Sequence, residues 1–178
     1  GAIDGVVCPA GVLRERMLFY MSEDEWDHVV AVHLKGHFNV YRAAFARMRK
    51  QETGGSLVGF TSGAFTASTA QANYSAANAC LDALASYRAA HGAAATSVQW
   101  GAWAEVGMAA RGAAAERVAA MEAASGFGRI GLAQGLAALG FAVRSGGFGV
   151  LGVVPMVWSR FLGGGRAVPS FLAAFAPA

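Results

Sequence analysis

Four short apolar runs recur along the chain, and longer segments with helical spacing separate them. Within each run polar and apolar residues alternate little, which is typical of strands that are buried on both faces of a parallel sheet. Glycine or proline residues border the runs, as expected where strands join loops. Strands and helices that alternate in this way predict an α/β fold, in which helices flank a parallel sheet. The predicted strands are residues 3–8, 56–61, 96–100 and 148–154.

Two helices are well defined by the pattern. The first begins with Ser22 and Glu25 at the spacing of a capping box, in which each side chain accepts a hydrogen bond from the other's backbone. The inward face of this helix is predicted to carry Trp26, Val29, Val30, His33, Leu34, His37, Phe38 and Tyr41. The second helix is predicted over residues 71–88, with an inward face of Tyr74, Ala77, Asn78, Leu81, Leu84 and Ala85. On this helix we expect Cys80 to be a small buried hydrophobe.

Composition narrows the classes of function. The chain has 178 residues, of which 55% are hydrophobic and 14% charged, so it can bury a core and a disordered protein is excluded. Its net charge is +3, and no basic run is longer than Arg49–Lys50, so we expect no nucleic-acid partner. No charge-free apolar run reaches the roughly 18 residues of a membrane span, so we expect no membrane association. Because the chain begins at Gly1, we expect it to be part of a longer protein.

The two cysteines, Cys8 and Cys80, have the spacing of neither a disulfide framework nor a zinc site. We therefore expect no metal, and a reducing, cytoplasmic location. Two segments, residues 126–131 and 147–152, match the GxGxxG pattern of nucleotide-binding loops. The first follows an alanine-rich helix and the second leads into a strand, whereas a phosphate site needs a strand, a glycine turn and a helix in that order. We expect neither segment to bind a nucleotide.

Residues 62–78 carry the candidate chemistry. Tyr74 and Asn78 are four residues apart on one helical face, so both side chains can meet the same ligand. Ser62 ends a predicted strand, at the edge where ligands bind in open parallel sheets. A serine hydroxyl that holds a carbonyl oxygen and a tyrosine phenol that protonates it would form a pair for ketone reduction. The pattern alone also fits a Tyr74 that is simply part of the core.

The motifs together resemble the short-chain dehydrogenase/reductase family. Residues 3–38 are similar to the fourth strand, its Ala-Gly turn and the next helix of free-standing members. From residue 71 onward the chain resembles the ketoreductase domain of a polyketide synthase, in the segments QANYSAANACLDALASYRAAHG, SVQWGAWAEVGMAAR, AQGLAAL and LGVVPMVWSRFL. The resemblance implies that residues 1–178 are a partial domain with a Rossmann-type sheet, lacking the N-terminal glycine-rich βαβ unit. Within it, residues 108–145 would form a helical lid over the substrate.

The resemblance also implies an activity. Family members of this kind reduce a 3-oxoacyl thioester to the 3-hydroxyacyl thioester with NADPH, in polyketide or fatty-acid biosynthesis, and this chain would do so as part of a longer one. Tyr74 would be the general acid, Ser62 would polarise the carbonyl, and Asn78 would orient its neighbours. By the same resemblance, six residues in two loops would lie against the cofactor: Ala10, Gly11, Trp100, Gly101, Ala102 and Trp103. The implied partners are an acyl carrier protein or coenzyme A that bears the substrate, with synthase neighbours or further copies of the chain.

Three departures from the family pattern bear on activity. The phosphate-binding loop, which also carries the selection of NADPH over NADH, belongs to the segment that would precede Ile3. Ser62 lies 12 residues before Tyr74, one fewer than is usual, and the alternative Thr61 would restore the spacing. The catalytic lysine is missing: free-standing members carry it where this chain has Asn78, and synthase ketoreductases carry it at the position of His33.

His33 has two interpretations. It lies on the inward helical face, where it could supply a partial cation or a proton relay beside Tyr74. It could equally be a hydrogen-bonded core histidine. Lys35 is no substitute, because two residues correspond to roughly 200° around a helix. We therefore expect slow or no turnover, with a catalytically silent scaffold and a free-standing reductase as the alternative functions.

Overall fold

The structure is a computed structural model that describes residues 1–51, 53–62, 70–105, 116, 119–120, 122, 124, 126–145, 148–163 and 168–176. The chain forms two compact units. The first contains Gly1–Trp100 and Ala138–Gly152, and the second contains Gly101–Ala137 and Val153–Ala178. Every helix within the described ranges falls short of the length or the hydrophobicity that a membrane span requires.

A four-stranded parallel sheet is built in chain order from β1 (Gly5–Cys8), β2 (Ser56–Ser62), β3 (Ala95–Trp100) and β4 (Gly149–Val153). All four predicted strands and the α/β fold class are confirmed. β2 and β3 are largely buried, as their apolar runs predict. β1 is more exposed than expected, since it lies at an edge of the sheet and the described residues place no strand on its outer side.

The first helical segment is interrupted by one wide turn. It consists of α1 (Glu23–Val30), a π-helical turn (Ala31–Lys35) and α2 (Gly36–Met48). The predicted capping box is present: Ser22 Oγ accepts the Glu25 N–H at 3.2 Å, and Glu25 Oε2 accepts the Ser22 N–H at 2.9 Å. The helix therefore begins where its sequence predicts.

The π-helical turn changes which side chains of this segment face the core. In a π turn the backbone hydrogen bond spans one residue more than in an α-helix. Side chains four positions apart therefore lie on the same face of the segment. The buried positions are Val29, His33, His37, Ala44 and Met48. The predicted inward positions Trp26 and Phe38 are wrong, with exposed fractions of 37% and 57%.

The second predicted helix is α3 (Ala72–Ala90), which packs against β2 and β3. Its buried side chains are Asn73, Tyr74, Ala77, Asn78, Leu81 and Ala85. Two expectations are wrong here, because Cys80 is exposed and Leu84 is 44% exposed. These two residues are four positions apart, so they form one row on the side of α3 that faces away from the sheet.

The described residues also include α4 (Leu132–Ser145), α5 (Trp158–Phe161) and the 3₁₀ turns Leu18–Tyr20 and Ser170–Phe175. Much of the predicted lid over residues 108–145 lies outside the described residues, and α4 is its best-described part. The lid therefore stays a prediction.

Candidate active site

Tyr74 lies in the first turn of α3, and its side chain is 8% exposed. Burial raises the pKa of the phenol above its ordinary value of 10, while the nearby side chains of Asn78 and Ser62 oppose this shift. The phenol is therefore protonated at neutral pH. A protonated phenol is the state in which a tyrosine can act as a general acid.

Ser62 and not Thr61 is the hydroxyl beside this phenol. Ser62 is the last residue of β2 and pairs in register with Trp100 of β3, and its side chain lowers the pKa of the Tyr74 phenol. The Thr61 hydroxyl is buried elsewhere, where it donates to Asp82 Oδ1 at 3.0 Å. The short spacing between Ser62 and Tyr74 therefore does not keep the two side chains apart.

Asn78 is fully buried one helical turn after Tyr74. Among the described residues its amide has no well-aligned hydrogen-bond partner. It nevertheless lies close enough to the Tyr74 phenol to lower the pKa of that phenol as a hydrogen-bonding neighbour. The two lysines of the chain, Lys35 and Lys50, are both exposed. Neither shares the buried setting of the Tyr74 phenol.

His33 packs directly on Tyr74. The two rings meet edge to face with centroids 4.8 Å apart, and the His33 side chain is 3% exposed. Its Nε2 lies 2.8 Å from both the backbone N and the backbone O of Val12. Burial lowers the pKa of His33 and the neighbouring His37 lowers it further, although the Val12 backbone opposes them. The ring is therefore neutral at neutral pH, which favours a hydrogen-bonding role over a cationic one.

Ala10 and Gly11 follow β1 at the carboxyl edge of the sheet, and both are exposed. Gly11 lies so close to the imidazole of His33 that an added Cβ would be 2.7 Å from its Cε1. This close approach requires glycine. The exposed backbone of the loop fits the nicotinamide end of a dinucleotide, because ligands of open parallel sheets bind at this edge.

We expect Gly11→Ala to displace the His33 ring and to lower the free energy of unfolding by about 1–3 kcal/mol, the usual cost of overpacking. Urea unfolding measures this change. Gly152→Ala is the matched control, since an added Cβ there meets nothing within 4 Å. Equal stability of the two variants would contradict the contact between Gly11 and His33.

Trp100 ends β3 and is 5% exposed. The next three residues, Gly101–Trp103, belong to the second unit. There the Trp103 ring fills the space above Gly135, which has no room for a Cβ. Trp103 thus has a packing role within its own unit, and its predicted contact with a cofactor stays a prediction.

Two backbone amides at the end of the first glycine motif and directly after it already donate hydrogen bonds to side chains of the chain. The Gly131 N–H donates to Gln134 Oε1 and the Leu132 N–H donates to Glu105 Oε2, each at 3.2 Å. These are amides that a phosphate at the start of α4 would need. The second motif includes Gly147, which lies outside the described residues. In addition, the described residues contain no cluster of three or more side chains able to hold a metal ion.

Asn73 is a site residue that the sequence pattern missed. It is fully buried, and its Nδ2 donates to the backbone carbonyls of Arg14 at 3.3 Å and Glu25 at 3.0 Å. Its Oδ1 accepts the backbone N–H of Tyr74 at 2.8 Å. Asn73 thus ties the loop after β1 and the helix α1 to the residue that carries the phenol. The only signal in the sequence is a polar residue directly before Tyr74.

Two buried histidines predict acid-sensitive stability. Burial lowers the pKa of His33 and of His37 in the folded chain. In the unfolded chain the pKa of both imidazoles is the ordinary value of about 6.5. Their contribution to stability is therefore complete above about pH 6.5 and is lost as the pH falls below it, where the unfolded chain binds more protons. The loss is at most ~1.4 kcal/mol per histidine and pH unit.

We expect the free energy of unfolding in urea to fall between about pH 7.5 and about pH 5.5, within the window of these two histidines. His37→Gln should remove roughly half of the slope, since it leaves one of the two buried imidazoles. His91→Gln is the control, because His91 is exposed. A stability that is flat across this range would contradict the neutral, buried state of both rings.

Comparisons with known proteins agree with the geometry. A family model described as KR domain matches residues 1–105. The hydroxyacyl-CoA dehydrogenase ChsB1 of Mycobacterium tuberculosis is 46% identical over 92 residues, which are 47% of this chain and 29% of that protein. The polyketide synthase GfsA of Streptomyces halstedii is 32% identical over 174 residues, which are 98% of this chain and 2% of that protein.

Solved structures show the same similarity. PlmKR1, a ketoreductase from the first module of phoslactomycin biosynthesis in Streptomyces sp. HK803, matches 98% of this chain and 37% of that one, with 30% identity and a TM-score of 0.71. The chain thus spans well under half of each protein that it matches here. The family model covers more than half of this chain, and the parallel sheet is shared with a ketoreductase. The chain therefore belongs to the KR domain family, the ketoreductases of the short-chain dehydrogenase/reductase type.

Proposed function

We propose that the chain is the substrate-side part of an NADPH-dependent ketoreductase that reduces a 3-oxoacyl thioester to the 3-hydroxyacyl thioester. The observation that carries this proposal is the protonated, buried phenol of Tyr74 beside Ser62 at the carboxyl end of β2. Family membership supports the same reaction class.

The chemistry divides between these two side chains. When bound, a reduced nicotinamide would supply the hydride that the carbonyl carbon accepts. The Ser62 hydroxyl donates a hydrogen bond to the carbonyl oxygen, and Tyr74 gives its proton to that oxygen as negative charge develops there. The carbonyl becomes a hydroxyl, and the Tyr74 phenolate regains a proton from solvent. Since burial raises the pKa of this phenol and no buried lysine offsets it, we expect the proton transfer to be slow.

We propose that the exposed loop with Ala10 and Gly11 lies against the nicotinamide end. The sequence resemblance implies the same role for Trp100, Gly101, Ala102 and Trp103. Members of this family use nicotinamide cofactors. We also propose that the cofactor is NADPH rather than NADH. The helical lid predicted over residues 108–145 would cover the acyl chain of the substrate.

The substrate is proposed to be an acyl thioester held by an acyl carrier protein. The match to a polyketide synthase over 98% of the chain supports this carrier. The match to a hydroxyacyl-CoA dehydrogenase supports coenzyme A as the alternative carrier of the same thioester chemistry.

A catalytically silent scaffold is the second candidate. One observation favours it: both lysines are exposed, so the buried Tyr74 lacks the cation that activates the phenol in the family. On this alternative the fold is retained for assembly, and ketone reduction does not occur in any form of the protein that keeps Asn78 and His33.

The test uses a completed chain, in which the first half of a polyketide synthase ketoreductase is joined before Gly1. NADPH oxidation is followed with a short 3-oxoacyl thioester, and the product is identified by mass spectrometry. We expect slow formation of the 3-hydroxyacyl thioester. A completed chain that folds and binds NADPH but forms no product while it keeps Asn78 and His33 would support the silent scaffold instead. The added half alone is the control.

A further inference from the structure

A polar cluster joins α3 to the sheet beneath the candidate site. We define it as Thr61, Asp82, Ser97 and Gln99. The Asp82 carboxylate accepts three hydrogen bonds: from Thr61 Oγ1 at 3.0 Å and Ser97 Oγ at 2.6 Å on Oδ1, and from Gln99 Nε2 at 2.7 Å on Oδ2. The two hydroxyls also lie 3.1 Å apart. The cluster therefore connects one residue of α3 with one residue of β2 and two of β3.

Burial makes this polar cluster costly to break. Thr61 is 4% exposed and Ser97 is 1% exposed, while Asp82 and Gln99 are half-buried. Without the carboxylate, the two buried hydroxyls lose their shared acceptor, and a buried polar group that loses its acceptor is destabilising. The side chains consequently hold α3 at one position along the strands.

The same elements carry the proposed catalytic pair. Asp82 follows Asn78 by four residues and Tyr74 by eight, so all three share one face of α3. On the sheet, Thr61 directly precedes Ser62, and its register partner in β3 is Gln99. A shift of α3 along the sheet would change the contacts of Asp82 and the distance from Tyr74 to Ser62 together.

We propose that Asp82 is a positioning residue, which sets the distance between the Tyr74 phenol and the Ser62 hydroxyl through Thr61, Ser97 and Gln99. This inference rests on the proposed ketone reduction for its effect on turnover. The positional part is independent of catalysis, because the distance from Tyr74 to Ser62 can be monitored in the chain without any substrate.

The test exchanges donor and acceptor across the polar cluster. Gln99→Glu places a second carboxylate against Asp82, which removes one hydrogen bond and adds repulsion. Asp82→Asn combined with Gln99→Glu restores a donor facing an acceptor, with the roles reversed. Asn39→Asp is the matched control for charge, since Asn39 is exposed on α2 of the same unit. Thr61→Val is a milder variant of nearly equal shape that removes one donor, and it serves if Gln99→Glu does not fold.

The first measurement is the NMR signal of the Tyr74 ring carbon that bears the hydroxyl, in the chain labelled at tyrosine and assigned with Tyr74→Phe. We expect Gln99→Glu and Thr61→Val to shift this signal, the double variant to return it, and Asn39→Asp to leave it unchanged. The exposed Tyr20 is the internal reference. An unmoved Tyr74 signal in folded Gln99→Glu or Thr61→Val would overturn the proposal, and so would a shift that the double variant fails to reverse.

The second measurement is turnover by the completed chain. We expect Gln99→Glu to lower kcat by roughly 10²-fold with little change in KM, since a misplacement of about 1 Å has an effect of this size, and the double variant to recover most of it. Lower thermal stability with unchanged kcat and an unmoved Tyr74 signal would show a merely structural role and overturn the proposal. A completed chain without any turnover, in which Tyr74 still responds as expected, would instead count against the proposed function alone.

Discussion

Replacing Tyr74 with phenylalanine is expected to lower ketone reduction by the completed chain by roughly 10²- to 10⁴-fold, the range for the loss of a general acid. The variant removes only the phenol oxygen. The ring that meets His33 at a centroid distance of 4.8 Å is kept, so the site should stay packed. The loss should therefore appear in kcat, measured as NADPH oxidation with a saturating 3-oxoacyl thioester, and not as unfolding.

Tyr41→Phe is the control for this prediction. Tyr41 is half-buried, burial raises the pKa of its phenol, and its ring packs on His37. It is not among the side chains that shift the pKa of Tyr74, and we expect its loss to leave kcat nearly unchanged. If Tyr74→Phe kept most of the turnover, the proton would come from another group and the proposed mechanism would be wrong.

Asn78→Lys is expected to raise kcat of the completed chain by roughly 10²-fold. A lysine four residues after Tyr74 brings an ammonium group to the phenol, and a nearby cation favours the phenolate that forms in the reaction. Asn78 also lies beside the Tyr74 phenol, where its side chain already lowers the pKa of that phenol, so a lysine at this position starts from the right place. The pH at which half of the maximal rate is reached should also move downward, which a pH profile of kcat measures.

Ala79→Lys is the matched control, because it adds the same charge on the next residue of α3, at an exposed position. His33→Lys is the second arm, since it places the lysine where synthase ketoreductases carry it. No gain from either lysine, in variants that fold and bind NADPH, would contradict the interpretation that the missing cation limits turnover. An equal gain from Ala79→Lys would assign the effect to net charge.

The strands and the main helices were predictable because short apolar runs and a capping box report local preferences of the backbone. The π-helical turn Ala31–Lys35 was not, since no residue type marks the extra residue in its hydrogen-bonded rings. After that turn Phe38 is exposed, whereas an ideal helix would have turned it inward. Trp26, which lies on α1 before the turn, is exposed as well. Cys80 was misplaced for a related reason: periodicity locates a helical stripe only to within about one residue.

Some residues of the candidate site were also predictable from the sequence, and others were not. Tyr74, Asn78 and Ser62 were found because their spacing along α3 and β2 has a chemical meaning. Asn73 and Asp82 were missed, because what they do depends on partners 15 to 59 residues away in the chain. Those partners meet only when α3 lies on the sheet. Sequence spacing and resemblance therefore predict the reacting groups, and not the residues that we propose to position them.

The most direct test of the central claim is hydride transfer by the completed chain, with NADPH that carries deuterium at the transferred position of the nicotinamide. We predict a 3-hydroxyacyl thioester that is one mass unit heavier, with the deuterium on the carbon that bears the new hydroxyl, formed slowly with Asn78 and faster with Asn78→Lys. Tyr74→Phe should form the same labelled product roughly 10²- to 10⁴-fold more slowly. A folded, NADPH-binding completed chain that transfers no deuterium with either residue at position 78 would contradict the claim that this chain is part of a working ketoreductase.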